Sequence, residues 1–141
     1  MLKKPLFWET IILLVIAGIL HIVATIYHLY WSIYEFDSLV HFLSGAAVSS
    51  LFLWLYFFSG YFSPQRRNLI KFLIISILGT MFVSLSWETY ELIFGQTMVA
   101  KLDYPYDTMI DLITGLLGAV VACFYAYIKE YNKEMIIKNQ Q

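Results

Sequence analysis

Four long apolar stretches constrain the fold of this 141-residue chain more than any other feature. The hydrocarbon core of a bilayer is about 30 Å thick and needs roughly 20 apolar residues per helix, and each stretch meets that length. The stretches are too long for strands and do not alternate between polar and apolar residues, which argues against a β-barrel. They predict an all-α, polytopic membrane protein, a single transmembrane domain over residues 1–141. The four expected spans cover about residues 8–31, 37–62, 69–95 and 107–128.

Composition excludes several classes of protein. Hydrophobic residues make up 60% of the chain and charged residues 13%, whereas about a quarter of a soluble domain is charged. A net charge of −1 leaves no overall basic surface, so we expect no nucleic-acid partner. The single cysteine, Cys123, excludes an intramolecular disulfide framework and a cysteine-rich zinc site. The expected partner is the lipid bilayer, with a homo-oligomer as a further expectation.

The distribution of Lys and Arg predicts the orientation. If there are four spans, eight of the nine basic residues fall on one side of the membrane and Lys101 falls on the other. Cytoplasmic loops carry the excess of positive charge. We therefore expect a multi-pass protein of the cytoplasmic membrane with both termini in the cytoplasm. The eight residues are Lys3, Lys4, Arg66, Arg67, Lys71, Lys129, Lys133 and Lys138.

Ionisable residues inside the predicted spans group at the outer end of three helices. Each such residue costs about 2.5–3.5 kcal/mol at the centre of a transmembrane helix, so their grouping points to a function. Within each helix they stand three or four residues apart, which places them on one helix face. The candidate site residues are Asp37 and His41 on the second helix, Glu88 and Glu91 on the third, and Asp107 and Asp111 on the fourth.

Three of these residues reach the same depth. At a rise of 1.5 Å per residue, His41, Glu91 and Asp111 each lie about 6 Å inside the outer end of their helix, and Glu88 lies about one turn deeper. Small residues in the second and fourth helices allow close helix packing; they are Gly45, Gly115, Gly118 and Ala119. Together these features predict a packed polar site in the outer leaflet. On the first helix, His21 and His28 are expected to serve helix packing.

An internal similarity links the second and fourth helices. Residues 34–45 align without gaps on residues 104–115, with identical Tyr, Asp and Gly and with Ser opposite Thr. The similarity predicts a duplicated two-helix hairpin, which is a parallel repeat of the kind found in some transporters. A chance similarity of this extent is the alternative.

Close carboxylates cannot all stay ionised without a cation or a proton. One interpretation is a divalent metal site, for which oxygen ligands and one imidazole suit Zn, Mn or Fe, and Mg if His41 is not a ligand. In that case His41 and Glu88 are the expected catalytic residues, with Glu88 as general base. The other interpretations are shared protons, a hydrogen-bonded structural network and, for Asp37 and Asp107, N-capping of their helices.

Three classes of function fit such a site. The first is a metal-dependent enzyme that acts on a lipid or cell-envelope substrate at the lipid–water boundary. The second is a protein that binds or transports protons or a cation, and the third is a scaffold with a structural polar core. Toward the cytoplasm, the fourth helix has no acid between Asp111 and Glu130, and the third offers only Ser and Thr below Glu88. A site with access from one side fits an enzyme or a binding site better than a conduit.

The same motifs resemble a known family. Three segments carry the resemblance: Asp37-x3-His41-Phe42 with Gly45, Trp87-Glu88-x2-Glu91, and Asp107-Thr108-x2-Asp111 followed by Gly118-Ala119. They resemble the YjdF-like family of small bacterial inner-membrane proteins and, more distantly, VanZ-like membrane proteins, where a D-x3-N segment stands in place of Asp107-x3-Asp111. The resemblance covers about Asp37 to Ala119. It implies a shared polar core and no particular reaction.

Overall fold

The computed structural model describes residues 5–33, 35–62, 68–94 and 104–138. Four helices of this part of the chain are long and apolar enough to cross a membrane, and the described residues contain no strand. The predicted all-α, polytopic fold is confirmed. The helices are α1 (Pro5–Ile26), α2 (Leu29–Ser32), α3 (Phe36–Leu53, continued by a π-helical turn over Trp54–Phe58), α4 (Leu69–Phe94) and α5 (Tyr104–Lys138).

The first helix ends earlier than the sequence predicts. The predicted span runs to about residue 31, but α1 ends at Ile26 and the short α2 follows after a break. At the break His28 adopts a left-handed backbone with φ of 54°, which is uncommon for a residue other than glycine. The chain therefore turns at this point instead of continuing the helix.

Helix α5 extends beyond the fourth predicted span at both ends. It begins at Tyr104 instead of about residue 107 and continues to Lys138. Pro105 is compatible with this start, since proline is preorganised for a first helical turn. Asp37 is the second residue of α3 and Asp107 the fourth of α5, so neither occupies an N-cap position. Both still lie in a first turn, where the helix dipole favours a carboxylate.

Helix α4, which is the third span, is described as far as Phe94. Gly95, the residue expected to end that span, lies outside the described residues.

Most of the charges that predict the orientation also lie outside the described residues, so the orientation stays a prediction. These residues are Lys3, Lys4, Arg66, Arg67 and Lys101.

Helix α3 packs against α1, α4 and α5, and its contact with α5 is the most extensive. The two helices run parallel, and glycines bring their backbones together: a Cβ added at Gly45 would overlap the carbonyl of Gly115, and one at Gly118 would overlap the carbonyl of Phe42. The predicted packing through small residues is confirmed. Helices α3 and α5 begin, and α4 ends, at the same end of the bundle. We call this end the site end.

An apolar cluster fills the bundle at the opposite end. Phe57 and Phe72 stack with ring centroids 4.2 Å apart, and Leu53 and Phe72 are fully buried. The π-helical turn Trp54–Phe58 widens α3 here, and Phe57 and Phe58 are both buried. These packed rings make the interior of the bundle apolar at this end. The buried members of the cluster are Leu6, Leu53, Phe57, Phe58, Phe72, Cys123 and Ala126.

Candidate functional site

Asp37, His41 and Asp111 meet at the site end. Asp37 and His41 are one turn apart on α3, and His41 Nε2 lies 3.5 Å from Asp37 Oδ1. Helix α5 brings Asp111 to the same ring nitrogen, so that its Oδ2 is 3.9 Å from His41 Nε2. One side-chain ligand atom of each residue lies within 4.8 Å of the other two. We call these three residues the Asp-His-Asp group.

The Asp-His-Asp group has dimensions that suit a metal ion. Nitrogen and oxygen ligands bind zinc at about 2.0–2.2 Å, so two ligands of one ion lie roughly 3–4.4 Å apart. The separations of 3.5 and 3.9 Å fall within that range. One imidazole and two carboxylates are ligands that Zn, Mn and Fe accept. Three protein ligands also leave coordination positions for water or a substrate.

Glu88 and Glu91 on α4 lie outside the Asp-His-Asp group. Glu88 is buried, and its Oε2 accepts a hydrogen bond of 2.8 Å from Thr108 Oγ1 on α5. Glu91 Oε1 accepts a hydrogen bond of 2.8 Å from Trp87 Nε1, one turn earlier on α4. Each carboxylate is thus held by a named donor. Thr108 positions a candidate site residue, a role that the sequence analysis did not assign to it.

Asp107 is placed differently from Asp37. Its Oδ2 is buried and has no hydrogen-bond partner among the described residues. A buried carboxylate oxygen without a partner is costly. A cation or a proton at this oxygen would remove that cost.

The six predicted residues form one acidic region around Asp111. The carboxylates of Asp37, Glu88, Glu91 and Asp107 all lie close enough to act electrostatically on that of Asp111. Five carboxylates on three packed helices repel one another strongly where water is excluded, because the local dielectric is low. A divalent ion would neutralise two of these charges.

A cavity of about 490 Å³ opens beside this region, between α1, α3 and α4. Asp37, His41 and Glu91 line it at the site end. On its α1 side, His21 Nδ1 lies 2.8 Å from the Tyr30 hydroxyl, and the His21 ring meets Trp87 edge-on at 5.3 Å. The metal-binding geometry therefore adjoins a space large enough for a small ligand.

Burial is the main reason that the pKa of the Tyr30 phenol lies above its usual range, and the nearby carboxylates of Asp37, Glu91 and Asp111 raise that pKa further. Tyr30 therefore keeps its hydroxyl proton at neutral pH. A protonated phenol at the cavity wall can donate a hydrogen bond, either to His21 or to a ligand.

The sequence matches one family model. Residues 2–131 match the family described as "Predicted membrane protein (DUF2238)". The chain belongs to this family. No curated protein and no solved structure matches the chain. The YjdF-like resemblance is compatible with the DUF2238 family, while the VanZ-like resemblance is not confirmed.

All six candidate residues of this DUF2238 protein fall inside the matched range. The sequence analysis missed the cavity and the pair formed by His21 and Tyr30. That pair joins α1 to the segment after its break, and the left-handed turn at His28 creates the contact. Since helix periodicity carries no signal for such a turn, the residue pattern alone could not place Tyr30 against His21.

Proposed function

We propose that this DUF2238 protein is a divalent-metal-dependent enzyme of the cell envelope, with the ion held by Asp37, His41 and Asp111. The observation that supports the proposal is the position of the Asp-His-Asp group at the polar end of a cavity inside the bundle. A metal site that only stabilises the fold needs no adjoining space, whereas an enzyme needs room for a substrate next to the ion.

The proposed chemistry is hydrolysis or a related transfer at the lipid–water boundary. A bound ion there would polarise a phosphate or ester and lower the pKa of a coordinated water. Glu88, held in place by Thr108, is the proposed general base. His41 is the proposed ligand that orients the ion toward the cavity, since it belongs to the Asp-His-Asp group and also lines the cavity.

A pair of buried hydroxyls near the middle of the bundle favours ion or proton transport as a second candidate. Ser49 Oγ lies 2.9 Å from Ser76 Oγ and 3.1 Å from the carbonyl oxygen of Ala119, about two turns below the site. Beyond these hydroxyls, however, the buried and stacked rings of Phe57 and Phe72 offer an ion no polar ligand. A site with access from one end supports the enzyme over a conduit.

The proposal includes an orientation with the site end outside and both termini in the cytoplasm. It follows from the excess of Lys and Arg on the other side of the spans. A cysteine placed at Lys101 should react with a membrane-impermeant maleimide added to intact cells, and one placed at Arg66 should not. The opposite labelling pattern would refute the orientation.

Metal analysis of the purified protein tests the site itself. We expect about one divalent ion per wild-type chain, because three ligands converge on one position. His41→Ala and Asp111→Asn should lose the ion. Glu35→Gln is the matched control, since Glu35 is an exposed acid at the same end of α3 and lies outside the Asp-His-Asp group.

Two outcomes would contradict the metal site. One is wild-type protein that binds no Zn, Mn or Fe(II) when each is added to the metal-free form in detergent. The other is loss of the ion from Glu35→Gln to the same extent as from Asp111→Asn. The first outcome would leave a structural polar core as the explanation of these residues.

A further inference from the structure

The cavity beside the Asp-His-Asp group has a polar end and an apolar end. Asp37, His41 and His21 line the polar end. Leu14 and Val48 line the other end, each seven residues further along α1 or α3. At 1.5 Å per residue, the apolar part therefore extends about 10 Å below the polar groups, toward the middle of the membrane.

The cavity also opens sideways into the bilayer. Gly18 on α1 and Val83 on α4 both line the cavity and are both exposed on the surface of the bundle. A Cβ added at Gly18 would meet no atom within 4 Å, so the wall has a gap at this position. The opening lies within the spans Leu6–Ile26 and Leu69–Phe94 and therefore faces hydrocarbon, not water.

A water-soluble substrate does not match this space. Apart from the hydroxyls of Ser44 and Ser84, the lining below His41 is apolar, so polar groups beside Leu14 and Val48 would lie against apolar walls, which is costly. A hydrocarbon chain matches those walls and reaches them through the lateral opening without crossing water. The polar end then receives the group to which the chain is attached.

We propose that the cavity binds one acyl chain of a membrane phospholipid, with the phosphate of its head group at the Asp-His-Asp group. The placement of the head group rests on the proposed function, because a phosphate needs the bound cation to approach these carboxylates. The chain runs from His41 past Gly18 toward Leu14 and Val48. The protonated Tyr30 hydroxyl at the polar end is a donor for head-group oxygens.

Photocrosslinking in a defined bilayer tests this binding site. The purified protein is placed in nanodiscs of phosphatidylglycerol that contain an analogue with a diazirine in its acyl chain, and the crosslinked residues are mapped by mass spectrometry. Annular lipid reaches only exposed side chains. Crosslinks to Ala17 and Val40, which line the cavity but are 7% and 6% exposed, report a chain inside it.

Matched tryptophan substitutions block the cavity or leave it open. Gly18→Trp places an indole in the lateral opening, and Ile19→Trp places the same group on the lipid-facing side of the same helix, where Ile19 is 54% exposed. Displacing two methylene groups weakens binding by about tenfold, so cavity crosslinks should fall by at least that factor in Gly18→Trp. They should stay at the wild-type level in Ile19→Trp.

A second pair on α4 decides the question if Gly18→Trp fails to fold. Val83→Trp substitutes a residue that lines the opening, and Phe82→Trp substitutes its lipid-facing neighbour, which is 70% exposed. The proposal is overturned if wild-type crosslinks are confined to exposed residues, or if the folded blocking variant crosslinks at Ala17 and Val40 as strongly as its control.

The metal content of the same samples separates this proposal from the metal site. Gly18→Trp should keep its ion, because the substitution lies away from the ligands. Wild-type protein that holds an ion but gives no cavity crosslinks would refute lipid binding and leave the metal site standing. Cavity crosslinks that persist undiminished in an ion-free His41→Ala variant would overturn the proposed placement of the head group.

Discussion

Alanine substitution should destabilise the protein at Gly45 but not at Gly115, although both glycines lie between α3 and α5. A Cβ added at Gly45 would lie 2.7 Å from the Cα of Gly115, whereas carbon atoms in favourable contact are about 3.5–4.0 Å apart. The two backbones must therefore separate by about 1 Å. A Cβ added at Gly115 itself would lie 3.5 Å from Ser84 Oγ and 3.6 Å from the carbonyl oxygen of His41, which are ordinary contacts.

The magnitudes follow from these distances. Alanine is favoured over glycine in a helix by about 1 kcal/mol. Overpacking costs about 1–3 kcal/mol, and here the upper part of that range applies because backbone meets backbone and no side-chain rotation relieves the overlap. Gly45→Ala should therefore lower the free energy of unfolding by about 1–2 kcal/mol. Gly115→Ala should leave it unchanged or raise it by up to about 1 kcal/mol.

Unfolding by SDS in mixed micelles, followed by tryptophan fluorescence, measures both values. The same 1 Å separation would move His41 Nε2 away from Asp111, from which it is now 3.9 Å distant, so Gly45→Ala should also bind the ion more weakly. Gly118→Ala, whose Cβ would overlap the carbonyl of Phe42, should behave like Gly45→Ala. The reasoning is refuted if Gly115→Ala is as destabilising as either of the other two.

The remaining predictions concern single buried groups. Thr80→Val should raise the free energy of unfolding by about 1 kcal/mol in the same assay, because the buried Thr80 hydroxyl has no partner among the described residues; a loss of stability would contradict this. Phe72→Ala should lower it by about 3 kcal/mol, since it removes a fully buried ring stacked on Phe57. Asp107→Asn should weaken metal binding by about tenfold in a titration, which an unchanged affinity would rule out.

The fold and the core of the candidate site could be predicted because their signals lie within single helices. Apolar length defines the spans, and spacings of three and four residues define which side chains share a face. Common depth then brings His41 and Asp111 together across two helices. The same reasoning did not separate Glu88 and Glu91 from the Asp-His-Asp group, because depth does not specify how each helix is rotated about its axis.

The cavity and the break after α1 could not be predicted from the sequence. The break depends on a left-handed backbone at His28, and no glycine or proline in that segment indicates it. The cavity forms because the side chains of three helices do not fill the space between them. This is a property of how the helices pack and not of any one helix. Gly18 is the one sequence feature related to the cavity, because it is a small residue in the middle of an apolar helix. Small residues more often mark close helix contacts, so Gly18 alone does not predict a cavity.

The register between α3 and α5 connects the site to the internal similarity. Contacts between them join residues that are 70 positions apart: His41 with Asp111, Gly45 with Gly115, and Ser49 with Ala119. The first two pairs belong to the alignment of residues 34–45 on 104–115, and the third continues its register. A duplicated hairpin would produce this register, because two copies of one helix then pack about a local symmetry axis.

By the same register, Asp107 is the counterpart of Asp37, but the two side chains have different surroundings. Asp37 contributes an oxygen to the Asp-His-Asp group, whereas the buried Oδ2 of Asp107 has no partner among the described residues. Asp107 lies outside the group, but its carboxylate acts electrostatically on that of Asp111. A cation at the group would attract this carboxylate, and tetrahedral ions take four ligands. We therefore expect metal affinity to depend on Asp107, whose carboxylate could supply a fourth ligand to such an ion.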